Sequence, residues 1–559
     1  MHVRRPAATR FEPARNAGAR RPPRPPCAAP RDGFDGGGDV DVGLLWQRAG
    51  GGEVTVPGFA PAEEVLKAEP ALPPPPVEPP PAPPAHSAIK DRAAFDRLHA
   101  ASTSQPAAFW TNLAGGLAWR NAPASGAGAA RVTPAGFAPP FFAGGRLSLT
   151  TNALTRHVDA GQGAARALAF AGGGLCFADA DAVAWRLAGW LRGAGVQRGD
   201  VVAVCLASGP DLGLAVLAAA GAGAAVLCLD PGSSPADLAA SIMSSGARVA
   251  ITSSDVKAAK LHEALALAAD DAMTPHSLDT VLVHEVPSCP VADTPWTCAR
   301  DVWAGAALAA ASSLPPNARP AVEPGAPLLL LPAPGAPGAL IMHPVAAAVG
   351  GASTARLALD AGSDAVVAWA GASPTHPAAL ITCLLGSLVN GGSCALLPAG
   401  PADAWWAAAR ATGVTHAVAD AAAAAALAAA APAPLRGALV VDAGPAAAAA
   451  AALATALGPA VPLVTAWQPA GAGTPVLAGA PHAACPAPGG MLPWLGCAKP
   501  DSPASPAWGG AWPALAGGVA GGPRAEAWWA DACASAGAGS FAPKGAALTV
   551  DGDGVFWWA

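Results

Sequence analysis

The sequence predicts an α/β fold of the doubly wound kind, built on parallel sheets. Three observations carry that prediction. Short runs such as VVAVCLA, AAVLCLD and RVAITSS are apolar almost throughout, as strands covered on both faces must be, rather than alternating. Stretches of helical periodicity lie between them. Gly, Ser, Asp and Pro mark the joins, where helices start and stop.

In chain order, residues 1–86 do not read as packed. Residues 1–31 hold eight Arg against one acid, Glu12, and no Ser. An organelle transit peptide is Arg-rich and acid-poor, while so many prolines suit a disordered basic tail; both readings stand. The linker that follows closes on PALPPPPVEPPPAPPAH, a polyproline spacer.

Folded character begins near Ile89. AAFDRLHAASTSQPAAFWTNLAGGLAW spaces its apolar residues as two helices around a Ser/Thr/Pro turn that can cap the second. DAVAWRLAGWLRGAGVQRGD predicts an amphipathic helix ended by Gly193 and Gly195. Then come strand VVAVCLA, a helix over residues 211–220, strand AAVLCLD, a helix in SPADLAASIMSSG and strand RVAITSS. A second α/β stretch is expected from residue 328 to about 464. It includes LITCLLGSLVNGGSCALLPAG, read as a helix, an Asn-Gly-Gly turn and a strand. The alanine tracts within 421–458 predict surface helices without a function.

Composition excludes several classes. Only 13 % of the 559 residues are charged and the net charge is −6, with no basic face in the body of the chain, so nucleic acid is not an expected partner. The eleven cysteines form no C-x-x-C pair, which argues against a zinc site or disulfide scaffold and for a reducing, intracellular compartment, organelle (plastid or mitochondrion) or cytoplasm. Residues 212–229, LGLAVLAAAGAGAAVLCL, are long enough to raise a membrane span. Their Ala and Gly content and flanking charges favour a buried helix running into a buried strand, and no span is expected.

Residues 327–344, PLLLLPAPGAPGALIMHP, run from an apolar strand into a loop of Gly, Pro and Ala. A strand feeding a Gly-rich turn is a common phosphate cradle. This one carries no Ser, Thr or Lys.

Several separated motifs, in order from about residue 90 to 559, resemble those of the acetyl-CoA and propionyl-CoA synthetases, AMP-forming acyl-CoA ligases of the acyl-adenylate-forming superfamily. QPAAFWTNLAGGLAW resembles their D-P-x-x-F-W segment. FFAGGRLSLTTNALTRHVD resembles G-G-x-L-N-x-x-x-N-x-L-D-R-H, matched at Gly144, Gly145, Leu147, Asn152, Leu154, Arg156 and His157. GSLVNGG resembles the G-P-L-x-N-G turn, VTAWQPAGAG the D-T-W-W-Q-T-E-T-G motif, and the terminal FWWA the D-G-Y-Y-W-I motif.

The resemblance implies the large N-terminal domain of the adenylate-forming fold: two doubly wound α/β subdomains plus a smaller β-rich one. Residues 87–150 would be the synthetase-like N-terminal segment and 151–559 the AMP-binding-like domain. The family's cofactors are ATP, Mg²⁺ and CoA. Aligned nucleotide-binding positions are Gly335, Gly338, Gly444, Thr465, Trp467 and Gln468.

Against the family's Y-T-S-G-S-T-G-K-P-K-G, the loop here puts Ala333, Pro334, Ala336 and Pro337 at hydroxyl positions and lacks both lysines. Proline also removes backbone donors. Ala470 stands where the family's Mg²⁺ glutamate does, Gly444 where its adenine-contacting G-E-P has Glu, and Lys544 where its ribose Asp lies. In the acetate-pocket segment Ser373 replaces Asp and His376 replaces Trp, while Ser241 replaces an arginine near the CoA phosphates. The chain stops at Ala559, about where the hinge to the C-terminal lid domain would begin, so that domain is expected to be absent.

Removing one preorganised donor costs about 10²–10³ in rate, and several positions have changed together. The expected protein is therefore a catalytically impaired relative that binds a small molecule (acyl or nucleotide) or a protein partner. The alternatives are an active acetate or propionate–CoA ligase working from ATP, and a non-enzymatic binding or scaffold protein. No metal ligand and no catalytic residue is assigned. His157 reads as a packed, hydrogen-bonded residue rather than a base. Thr375 and His376 read as a small polar pocket or as loop. Asp551 and Asp553 read as a turn between strands, not a metal pair. Trp405, Trp406, Trp528, Trp529, Trp557 and Trp558 read as core or half-exposed helix residues.

Overall fold

The computed structural model describes residues 87–468, apart from short internal stretches that include 334–336 and 443–446, together with strand segments at 477–478, 492–493, 518–520, 548–550 and 556–558. Two large sheets organise these residues, with smaller two-stranded ladders beside them. The first sheet has eight strands in the spatial order Asp301–Trp303, Thr280–His284, Val249–Ser253, Val201–Cys205, Ala225–Leu229, Pro327–Pro332, Leu340–Pro344, Gly518–Ala520. Its first six are parallel; the last two pair antiparallel. The second sheet has nine, ordered Leu492–Pro493, Leu477–Ala478, Leu463–Trp467, Gly437–Asp442, His416–Ala419, Val366–Trp369, Ser393–Ala395, Arg166–Phe170, Gly173–Cys176. Antiparallel strands lie at both of its edges and parallel ones in between.

The doubly wound α/β reading holds, with one correction to the division of the chain. The expected second α/β stretch begins with strand Pro327–Pro332, but that strand pairs with Ala225–Leu229 and so completes the first sheet. The second sheet takes in Arg166–Phe170 instead, from far upstream. Local periodicity assigns strands; it carries no information on which sheet receives them.

Element boundaries follow from caps. Helix Phe177–Gly193 ends just before Gly195, whose φ of +92° only glycine adopts freely. Helix Pro235–Ser245 starts from Ser234, whose hydroxyl accepts the Asp237 N–H at 3.2 Å and donates to the Asp237 carboxylate at 2.7 Å, and it stops at Gly246 in the left-handed region. The apolar run 212–229 divides into helix Pro210–Gly221 and strand Ala225–Leu229, both buried. No helix among the described residues is long and apolar enough to cross a membrane. The alanine tracts form helices Ala421–Ala428 and Ala447–Leu457, which bury mainly Ala424, Leu427, Ala450 and Leu453. Trp405 and Trp406 are core residues on helix Ala402–Thr412, whereas Trp557 and Trp558 lie in strand Phe556–Trp558 rather than a helix. That strand pairs with Leu548–Val550, while residues 551–555, expected as a turn that holds Asp551 and Asp553, lie outside the described residues.

Glycine sets the closest approaches between layers. A Cβ on Gly213 would meet Leu396, Leu384 and Leu168 at 3.0–3.7 Å, so helix Pro210–Gly221, which belongs to the first sheet's winding, packs against the second sheet's elements. Helix Ala347–Leu357 crosses the π-type helix Ala378–Gly386 more tightly still. A Cβ on Gly351 would lie 2.2 Å from the Ile381 carbonyl oxygen, and one on Gly386 would lie 2.6 Å from the Gly351 carbonyl oxygen. Backbone meets backbone, and no side chain can give way.

One buried ion pair holds the edge of the first sheet. Lys257 Nζ lies 2.9 Å from Asp301 Oδ2, both side chains having no exposure, and the carboxylate also accepts the Thr297 N–H at 2.7 Å. The ammonium donates to the Pro295 carbonyl and sits over the Trp296 ring. Removing one partner of such a pair strands the other charge.

Gly351→Ala is expected to destabilise the fold by about 1–3 kcal/mol or more through overpacking. Gly193→Ala, where a Cβ meets nothing within 4 Å, should be neutral or slightly stabilising. Urea unfolding of both variants checks the contrast.

Candidate small-molecule site

In an open α/β sheet, ligands sit outside the carboxyl ends of the strands where the strand order reverses. In the second sheet the chain passes from Val366–Trp369 to Ser393–Ala395 on one side, then to His416–Ala419 on the other. The reversal lies between Trp369 and Ala419. Residues 369–378 and Asp420 border it.

Hydrogen bonds order that border. Trp369 Nε1 donates to the Ser373 carbonyl at 2.9 Å, and the Trp369 carbonyl accepts Trp405 Nε1 at 3.2 Å. The Ser373 and Thr375 hydroxyls are 3.1 Å apart. His376 lies flat on Trp369, with ring centroids 4.7 Å apart and planes 11° from parallel, and its Nδ1 accepts the Ala378 N–H at 3.1 Å. Asp420 caps the helix after its strand by accepting the Ala423 N–H at 2.7 Å. A Cβ on Gly371 would fall 2.2 Å from the Trp369 ring and 2.4 Å from Asp420 Oδ2, so only glycine fits between them. Thr375 and His376 thus lie in the loop after strand Val366–Trp369, held there by hydrogen bonds and ring stacking.

His343, on strand Leu340–Pro344 of the first sheet, is fully buried, and neither ring nitrogen has a hydrogen-bond partner among the described residues. Burial, assisted by the nearby His376, lowers its pKa to about 4, which keeps the ring neutral.

The strands on either side of the Gly-rich loop pair antiparallel as a hairpin. Pro332 pairs with Leu340, and the Ala333 N–H donates to the Ala339 carbonyl at 2.8 Å. The first N–H of the loop is therefore occupied within the hairpin. Pro337 is exposed and has none. Gly338, at φ +76°, packs on helix Pro235–Ser245, where a Cβ would meet Ser244 Oγ at 3.0 Å. Gly335 and Gly444 lie outside the described residues, as do Ala470 and Lys544. Thr465 is buried within strand Leu463–Trp467, and Gln468 is buried just beyond it. Trp467 is described for its backbone, which pairs with Asp442 and Leu477. Ser241 is buried inside its helix.

The NALTRH stretch is a clamp. Asn152 accepts the Ala118 N–H at 2.7 Å and donates back to the Ala118 carbonyl at 2.9 Å. Arg156 donates to the Gly116 carbonyl at 2.5 Å and to the Val389 carbonyl, so it ties the N-terminal helices to the Asn-Gly-Gly turn. His157 packs at a tilt against Phe177, ring centroids 4.9 Å apart, and bonds Gln162 at 3.2 Å through Nδ1. Burial and the Arg156 charge lower its pKa. It is the packed histidine expected. At the first sheet's own reversal point, Lys260 is tied to the Gly232 and Ser233 carbonyls at 3.0 Å each, and burial pushes the Cys205 thiol up to about 12, where it is unreactive. No group of three or more His, Cys, Asp or Glu side chains gathers among the described residues.

Sequence reasoning singled out Thr375 and His376 but missed Asp420 and the isolation of His343. Asp420 carried a signal, an Asp between an apolar strand and an alanine helix. His343 carried none.

Residues 155–489 match the AMP-binding enzyme family. The match covers more than half of the chain, which therefore belongs to that family. Its relatives include acetyl-coenzyme A synthetases. That of Aeromonas salmonicida is 29% identical over 248 residues, 43% of this chain and 38% of its own length. That of Streptomyces avermitilis is 33% identical over 204 residues, 35% of this chain and 30% of its own, and that of Syntrophus aciditrophicus 29% over 254 residues, 43% and 37%. The chain thus spans well under half the length of these curated relatives. It is an acetyl-CoA synthetase-like protein of the adenylate-forming kind.

The depressed His343 pKa fixes a pH dependence. An unfolded histidine titrates near pH 6.5, so the stability due to keeping this ring neutral is complete above that value and is lost as pH falls toward 4. Between pH 7 and 4 the wild-type protein should lose about 3 kcal/mol more than His343→Phe, as read from urea midpoints across the range. Equal slopes would show that the ring is not buried as described.

Proposed function

We propose that this chain is an acetyl-CoA synthetase-like protein in which formation of the acyl-adenylate is impaired, and which acts by binding a small acid or related ligand. The hairpin closure at Ala333 and Ala339 is the observation that carries this reading. A triphosphate cradle works by turning several backbone N–H groups and hydroxyls toward the phosphate oxygens. Here one N–H completes the hairpin ladder, and Pro334 and Pro337 supply none.

The aligned positions support it. Ala470 cannot coordinate Mg²⁺, and Lys544 cannot accept from ribose hydroxyls. Gly335, Gly338, Gly444, Thr465, Trp467 and Gln468 are read as relict nucleotide positions, in which glycines and packed side chains persist without the groups that grip charge. The polar border at Ser373, Thr375 and His376 is the part of the site still furnished for binding.

Purified full-length chain, incubated with ATP, Mg²⁺, CoA and either acetate or propionate, should release no AMP above a no-enzyme control. Thermal melts should be unmoved by ATP or AMP. A nucleotide present at a hundred times its Kd would stabilise the native state by about 2.7 kcal/mol, so binding would be seen. Steady AMP and acyl-CoA formation would replace this reading with that of an active ligase.

A further inference from the structure

One guanidinium joins three parts of the chain. Arg156 donates through Nη1 to the Gly116 carbonyl at 2.5 Å and to Asn152 Oδ1 at 3.4 Å, and through Nη2 to the Val389 carbonyl. Its remaining donor, the Nε–H, faces Nε2 of His157 at 3.5 Å. Nδ1 of the same ring lies 3.2 Å from Gln162 Oε1, an oxygen that can only accept. Nδ1 therefore carries the ring proton, and Nε2 is left as a bare acceptor. In this state Arg156 meets an acceptor on every arm.

The ring is held between two elements. Helix Phe177–Gly193 contributes Phe177, and the turn after residue 387 contributes main chain, with a Cβ on Gly391 falling 3.2 Å from the ring Cε1. Gln162 is neutral, and Arg156 is the charged group that acts on the ring. A proton on Nε2 would set donor against donor and cation against cation. It would also compete for the Val389 carbonyl, which Arg156 already uses. Burial and the Arg156 charge oppose that proton, while Gln162 and the Leu388 and Val389 carbonyls favour it; the balance lies below the usual histidine value.

We propose that Arg156 and His157 form a proton-sensitive clamp between the segment after the N-terminal helices and the Asn-Gly-Gly turn, closed while His157 is neutral and loosened at both ends when the ring gains a proton. The effect is local. Helices Arg92–Ser104 and Pro106–Ala114 bury Phe95, Trp110 and Ala114 in the main core and stay in place. What the proton frees is main chain, residues 116–118 at one end and 389–392 at the other. An unfolded histidine titrates near pH 6.5. The folded ring titrates lower, so the clamp is complete above that value and is lost as pH falls through the ring's own. Nothing in this device depends on whether adenylation survives.

The test is amide hydrogen exchange of the full chain in steps from about pH 7.5 to 4.5, a range that brackets histidine titration, corrected for the intrinsic pH dependence of exchange. Peptides covering 116–119 and 389–392 should exchange about fivefold or more faster at the low end, the usual scale of coupling between linked sites. Strand Val201–Cys205 should not change. His157→Gln, which keeps an acceptor beside Arg156 and cannot take a charge, should abolish the acceleration. Exchange of the His157 ring C2 proton, read on the same samples, gives the titration of the ring, and its midpoint should lie below pH 6.5 and coincide with the onset of loosening. Unchanged exchange in the two segments, equal acceleration in strand Val201–Cys205, or acceleration retained in His157→Gln would overturn the clamp. If the variant does not fold, the wild-type curves decide alone: a ring that titrates away from the onset of loosening overturns the proposal.

Discussion

The contact between backbone and backbone at Gly351 is the constraint on which the second half of the molecule depends. Most helix pairs are held apart by side chains at 8–10 Å. Here the Gly351 and Gly386 positions leave no room for even a methyl group, so the two helices lock at one crossing point. Each helix is preceded by a short segment that leads back to a sheet: Leu340–Pro344 to the first, Val366–Trp369 with the 370–377 loop to the second. Fixing the helices therefore fixes the relation between the last strands of one sheet and the switch-point border of the other. Asn390, which donates to the Ala352 carbonyl at 2.9 Å, extends the same lock to the Asn-Gly-Gly turn. From there the Val389 carbonyl passes it to Arg156 and so to the N-terminal helices.

This linkage gives several of the family-like motifs a structural role. Asn152, Arg156, His157 and the GSLVNGG turn touch one another across more than two hundred residues of sequence. Their hydrogen bonds run to main-chain carbonyls and amides, which any relative with this backbone presents. Loss of the Arg156 guanidinium would leave two carbonyls to find other partners in a half-buried setting. The positions that have changed are different in kind. Ala333 and Pro337 lie between two strands that are held by their own ladder, so the fold tolerates substitution there; Pro334 and Ala336 lie outside the described residues. Fold and chemistry are held by separate sets of residues, and the two can drift independently.

Much of the fold was legible because its signals are local. Ser234 and Gly246 bracket a helix, Gly195 ends another, and unbroken apolar runs mark strands covered on both faces. The break in the run 212–229 lay at a Gly-rich turn that could be read directly. What could not be read was sheet membership. Strand Pro327–Pro332 looks like the start of a new α/β unit, and only its pairing with Ala225–Leu229, a hundred residues earlier, assigns it to the old one. The site divided the same way. The polar character of Ser373, Thr375 and His376 showed in the sequence, whereas the fit of Gly371 between Trp369 and Asp420 requires two strands that neighbour each other only after folding. The solitude of His343 is a property of its surroundings, and no spacing rule encodes surroundings.

The same distinction bears on what the scaffold can still do. A site that grips a triphosphate must oppose several charges with donors already oriented; here the Ala333 N–H is spent on the Ala339 carbonyl. A site that recognises a small neutral group needs only one or two well-placed hydrogen bonds in a dry setting, because burial makes each unmade bond costly. The first requirement depends on loop chemistry and is easily lost. The second depends on packing around buried polar groups, which substitutions in an exposed turn leave untouched.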